Sequence, residues 1–157
     1  YYAQHSRMNQ NETLTPYSTN MYILSGSING KIGQIMDWNY NISYSKSTLK
    51  TEDEQLLAYR GLSNKLSTDW HLSKKITLRA DTEHYKNEIS EKKFKSIFFL
   101  DASLVYKVNR KLEMSLNADN LLNKDRYDYT ITGNLSMHTS KQNIRGRNIF
   151  IRFYYLL

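Results

Sequence analysis

The residues that could do chemistry are few and scattered along the chain. His5, His71, His84 and His138 fall on separate segments without a His-x-x-His spacing, and cysteine is absent, so no metal site is written in the sequence. Arg79, Asp81 and Glu83 occupy alternate positions of one short run. Two carboxylates at that spacing can exchange protons with a substrate, but next to an arginine on one strand face they more simply form a solvated ladder of ion pairs. Ser67-Thr68-Asp69 and Ser73 offer hydroxyls with neither a nucleophile elbow nor a partnered base. Lys74-Lys75, Lys92-Lys93 and Arg145-Gly146-Arg147 could meet phosphates, yet no recognition helix or RNA-binding aromatic motif accompanies them. Neither catalysis, nor a cofactor, nor a nucleic-acid partner is expected. Tyr127, Asp128 and Tyr129 remain as candidates for ligand contact, because aromatic and acidic side chains there begin the longest loop. A hairpin in which the strand simply continues past the membrane is the simpler account of them. Arg79, Asp81 and Glu83 are the second set of ligand-facing candidates.

The elements that must position these residues follow from a period of two. In Gln34 to Lys46, Met36, Trp38, Tyr40, Ile42 and Tyr44 share one parity, while Asp37, Asn39, Asn41, Ser43 and Ser45 share the other. A strand turns successive side chains to opposite faces, so this segment predicts a strand with one apolar and one polar face. The alternation recurs over Leu62 to Leu72, Ile76 to Tyr85, Phe94 to Val108, Leu112 to Ala118 and Arg147 to Leu157. It is weaker over Tyr17 to Gly30 and weakest over Tyr1 to Met8. In Phe94 to Val108 the second face is mixed, with Ile97, Phe99 and Val105 among its polar residues. Trp38, Leu78, Leu104, Leu116, Ile151 and Phe153 are thus expected on one face, opposite Asn39, Arg79, Asp81, Ser103, Asn117 and Arg152.

Composition supports strands and leaves a membrane open. The 157 residues carry a net charge of +7, include 13 tyrosines and contain a single proline, Pro16. The densest apolar runs, Ile97 to Leu100 and Ile149 to Phe153, fall far short of the about 20 apolar residues of a transmembrane helix. A mean hydropathy of -0.67 does not exclude a membrane barrel, whose strands are apolar only at alternate positions. Tight connections are expected at Gly30 to Gly33, Ser73 to Lys75 and Asn109 to Lys111, and longer polar loops at Ser47 to Gln55, Lys86 to Lys93 and Lys124 to Arg145. Short turns at one end and long loops at the other are the habit of outer-membrane barrels. Trp38, Trp70, Tyr106 and Tyr155 would all lie near the short-turn end, as an interfacial aromatic girdle requires. A soluble sandwich would show the same alternation. It would not require runs as long as Phe94 to Val108, since globular strands usually have about 5 to 6 residues.

One motif carries a family resemblance. Asn120-Leu121-Leu122-Asn123-Lys124 follows the strand Leu112 to Ala118, Tyr127 comes soon after, and Gly146-Arg147 opens the final run. This order resembles the carboxy-terminal end of TonB-dependent outer-membrane receptors, and the richness in Asn, Lys, Tyr and Ser suggests their Bacteroidetes-type relatives. The chain departs from the family in closing on Tyr154-Tyr155-Leu156-Leu157 rather than on an aromatic, which bears on recognition by the barrel-assembly machinery.

The resemblance implies an all-β fold: an antiparallel transmembrane meander of seven or eight strands belonging to a larger barrel of about 22. Residues 1–157 would be its carboxy-terminal part, without the plug domain. It also implies import of a scarce nutrient such as an iron chelate, vitamin or glycan across the bacterial outer membrane. The implied partners are outer-membrane lipid, the assembly machinery, a TonB-type periplasmic energy coupler acting through the plug, and a surface lipoprotein. The alternatives are a complete eight-stranded barrel with a structural or adhesive role and a soluble β-rich binding module.

Overall fold

The computed structural model describes residues 2–10, 13–51, 55–90, 92–132 and 137–156, and every element in them is a strand. The strands are β1 (Tyr2–Gln10), β2 (Thr13–Ile32), β3 (Met36–Thr51), β4 (Gln55–His71), β5 (Ile76–Ser90), β6 (Lys93–Lys107), β7 (Leu112–Asp119), β8 (Arg126–Thr132), β9 (Met137–Asn143) and β10 (Asn148–Tyr155). Eight of them form one sheet in the order β1-β2-β3-β4-β5-β6-β7-β10, and β8 and β9 make a separate two-stranded hairpin. All pairings in the large sheet are antiparallel, including β7 with β10, where Leu116 faces Ile151. The final strand therefore lies against Leu112–Asp119. Pro16 is tolerated because it sits one residue past Tyr17↔Thr51, where β2 has lost β3 and pairs with β1 alone.

Tight turns at one end set the register. Gly33 adopts φ 55 between β2 and β3, a left-handed conformation that glycine takes without steric cost. Ser73 Oγ accepts from Lys75 N and Ile76 N at 3.2 and 3.1 Å. Asn109 Oδ1 accepts from Lys111 N and Leu112 N at 2.8 and 2.9 Å, so each turn closes on its own side-chain oxygen. Partners across the sheet then climb away from these turns. Along the row Met36, Trp70, Leu78, Leu104 and Leu116, Met36 is the first residue of β3, Trp70 the second to last of β4 and Leu78 the third of β5. Leu104 is the fourth from the end of β6 and Leu116 the fifth of β7. This stagger is the strand tilt that curling a sheet into a barrel demands.

The other end departs from expectation in two ways. The segments Ser47 to Gln55 and Lys86 to Lys93 are not long loops, because β3 and β5 run on to Thr51 and Ser90 while β4 and β6 begin at Gln55 and Lys93. Backbone pairing such as Leu49↔Leu57 and Asn87↔Lys95 persists after the hydropathy alternation has ended, with register shifts near Leu49 and Glu88. The segment Lys124 to Arg145, expected as a loop, contains the β8–β9 hairpin.

Every cross-strand pair keeps the two faces distinct. The apolar face collects Leu24, Ile28, Trp38, Ile42, Leu66, Leu78, Leu104, Leu116, Ile151 and Phe153, and the opposite face Asn39, Asn41, Ser67, Arg79, Asp81, Ser103, Asn117 and Arg152. Among the described residues no second layer covers the apolar face: Leu24 is 75% exposed, Ile151 59% and Phe153 63%. A soluble sandwich buries such a face, so the two-sheet architecture does not hold for this chain. Trp38 lies flat on its partner Gly30, where an added Cβ would meet the indole at 2.9 Å.

The apolar face also carries Asn64 and His84, and both are satisfied within the sheet. Tyr40 donates to Asn64 Oδ1 at 2.8 Å, Asn64 Nδ2 contacts His84 Nδ1 at 3.1 Å, and His84 Nε2 contacts Ser96 Oγ at 2.6 Å. The imidazole stacks on Phe98 with ring centroids 4.1 Å apart. This chain of bonds crosses β3 to β6 and leaves neither Asn64 nor His84 without a partner.

Candidate functional site: the polar face at the hairpin end

The sequence motif forms a clasp at the root of the β8–β9 hairpin. Asn120 is buried and takes φ 51, a left-handed turn that asparagine tolerates. Its backbone N donates to Asp101 Oδ1 at 2.7 Å, which ties the end of β7 to β6. Its Nδ2 donates to the carbonyls of Lys124 and Arg145 at 2.7 and 3.0 Å, and its Oδ1 accepts from Lys124 N at 2.9 Å. One amide thus holds both legs of the hairpin. Leu121 N donates to Leu100 O at 2.8 Å, anchoring the motif to β6. Asn123, also at φ 51, accepts from Arg147 N at 3.0 Å through Oδ1 and lies against Gly146. The Asn120 to Lys124 element and the Gly146-Arg147 pair are therefore one structural unit.

Held this way, the hairpin turns over the polar face. Tyr127 packs between Tyr85 of β5 and Phe99 of β6, with ring centroids 5.5 and 6.4 Å away, and Tyr85 and Phe99 meet edge-on at 6.3 Å. Its hydroxyl accepts from Asn87 Nδ2 at 2.8 Å. Tyr85 donates to Glu83 Oε2 at 2.6 Å, and Lys65 pairs with Glu83 Oε1 at 2.6 Å. The Lys65 ammonium lies 5.9 Å from the centre of the Tyr85 ring. The structure thus joins Tyr127 and Glu83, two residues that the sequence placed in separate candidate sets. Arg79 stands apart, paired with Asp69 at 3.1 Å, and Asp81 faces Asp101 across the strands. The side chains of Asp128 and Tyr129 lie outside the described residues.

Sequence reasoning missed Tyr85, Asn87, Phe99 and Lys65 as members of this cluster. The available signal was the mixed face of β6, whose Phe99 and Ile97 interrupt an otherwise polar parity where the hairpin comes down. Nearer the tight turns the same face holds another ion cluster, Lys31–Asp37 at 3.3 Å and His71–Asp37 at 3.0 Å. Between the two, a trough of about 420 Å³ on β2 to β4 is lined by Ser25, Ser27, Asn41, Ser43 and Lys65 among others. A larger cleft of about 710 Å³ opens between β6 and the hairpin root, bordered by Lys95, Ile97, Lys124, Asp125, Arg126 and Asn143.

A staggered antiparallel sheet of long strands, uncovered on its apolar face and lined with hydroxyls, amides and ion pairs on the other, is the wall of a membrane β-barrel. The chain belongs to the outer membrane protein beta-barrel family, whose model matches residues 9–155. No curated protein and no solved structure matches it. Its place is the bacterial outer membrane, so the apolar face meets lipid and the polar face lines the barrel interior.

Proposed function

We propose that this chain forms wall and outer loops of an active importer that takes up a scarce nutrient, an iron chelate, vitamin or glycan, with energy from a TonB-type periplasmic partner. The observation that carries the reading is the β8–β9 hairpin, clasped by Asn120 and seated through Tyr127 on the interior face. A loop drawn inward at the mouth narrows entry and brings the cleft beside Lys95, Lys124 and Arg126 to the place where an incoming ligand first meets the lumen. A purely structural barrel has no need of such a loop. On this reading the hairpin end is extracellular and the tight turns are periplasmic.

The strands β1 and β10 each have one unpaired side among the described residues, and a bare edge in hydrocarbon costs several kcal/mol per unsatisfied group. That supports a wall completed by further strands over a small barrel of these eight. The assembly machinery would insert it, the energy coupler would act through a plug, and a surface lipoprotein would cap the outer loops. The test supplies a deletion strain in turn with a ferric chelate, a corrinoid and an oligosaccharide as sole source of each nutrient. Loss of growth on one of them, restored by the intact gene only while the proton gradient stands, is expected. Normal growth on all of them would overturn the transport reading.

A further inference from the structure

Where the lipid-facing surface turns polar near the hairpin end, three cations stand together. On β3, β4 and β5 the outward parity runs Tyr44, Leu62 and Lys86 at one level, and Lys46 and Arg60 at the next. Lys46 and Arg60 are direct cross-strand partners, and Lys86 lies diagonally from Arg60. Directly opposed side chains have Cβ atoms about 5 Å apart and diagonal ones about 7 to 8 Å, and like charges so opposed destabilise a sheet. Neither Lys46 nor Arg60 makes an ion pair or side-chain hydrogen bond among the described residues. Lys86 only leans over the Phe94 ring, 5.3 Å from its centre. The nearest acid on these strands, Glu88, is buried and accepts from Lys92 N at the β5–β6 turn.

We infer that Lys46, Arg60 and Lys86 form a docking site for the phosphate of an anionic lipid headgroup in the leaflet at the hairpin end. The position fits that occupant. Tyr44, Leu62 and Leu24 mark the upper limit of the apolar band, and a cation costs far less at that depth than at the midplane. A phosphate placed between Lys46 and Arg60 removes their mutual repulsion, and its acyl chains lie along the apolar residues below. Arginine adds a planar fork of donors suited to phosphate oxygens. The site is continuous with the surface already in contact with the bilayer and is independent of any transported ligand.

The test uses the full-length protein in neutral detergent, with native mass spectrometry reading the binding of phosphatidic acid and of phosphatidylcholine with the same chains. Phosphatidic acid is expected to bind more tightly, and each cation replaced in Lys46→Gln, Arg60→Gln and Lys86→Gln to weaken it about fivefold, with phosphatidylcholine unaffected. Lys107→Gln, at the opposite end and on the other face, should change nothing. Equal binding of the two lipids by the wild-type protein, or an unchanged affinity in a folded double variant, would overturn the site. Displacement of the lipid by inorganic phosphate alone would also overturn it, by showing a simple anion site. If the multiple variant does not fold, the wild-type comparison of the two lipids and the single Lys46→Gln variant still decide.

Discussion

At the scale of single residues, Asn120 and Tyr127 divide the work of holding the hairpin. Asn120→Ala removes one side-chain acceptor and two donated bonds at a buried position and places alanine at φ 51. Leaving buried partners unsatisfied costs about 1 to 3 kcal/mol, so a lowered midpoint of denaturant unfolding is expected, with Asn120→Asp recovering part of it through the Lys124 bond. Tyr127 acts at the far side of the clasp. Tyr127→Phe keeps the ring contacts and loses the Asn87 bond, a change of about 1 kcal/mol, while Tyr127→Ala releases the hairpin from β5 and β6. Hydrogen exchange of the β8 and β9 amides should quicken strongly in Tyr127→Ala and slightly in Tyr127→Phe. Equal exchange in all forms would mean that the ring does not hold the hairpin.

At the scale of elements, the two faces of each strand should answer differently to the same charge. Leu104→Arg or Leu116→Arg puts a cation toward lipid and should cost about 2 to 4 kcal/mol in the bilayer. Ser67→Arg, on the interior face, should cost much less when refolding into vesicles is compared. Deleting Ile149 to Leu157 strips β7 of its partner, and membrane assembly should be lost. The strands and their faces were legible in the sequence because a half-lipid, half-polar strand must alternate, and Met36 to Ser45 does so without exception. The ends of the strands were not, since the backbone ladder runs on through Leu49↔Leu57 beyond the apolar band, where hydropathy has no period to offer. The candidate site was legible only in part. Asn120 to Lys124 announced itself as a motif, but its role as a clasp depends on Arg145 and Asp101, which only the fold brings near. Asn64 and His84 interrupt the apolar parity, and the bond chain from Tyr40 to Ser96 explains how they are accommodated.

At the scale of the whole molecule, the stagger of the rows, the uncovered apolar face and the polar lining describe one object, a tilted wall with lipid on one side and an aqueous interior on the other. Trypsin added to intact cells should cut near Lys92 or Lys141 at the hairpin end, and cleavage at Lys74 or Lys111 instead would invert the orientation. The chain contains no cysteine, so spin labels can be placed one residue at a time without background from it. The most direct measurement walks a nitroxide along β6 from Phe98 to Val105 in the full-length protein in vesicles and records its collisions with oxygen, which concentrates in lipid, and with a water-soluble nickel chelate. Expected is a period of two, with Phe98, Leu100, Ala102 and Leu104 accessible to oxygen and Asp101 and Ser103 shielded from it. Oxygen and nickel accessibilities that show no alternation along this strand, or that place both parities in water, would contradict a membrane wall.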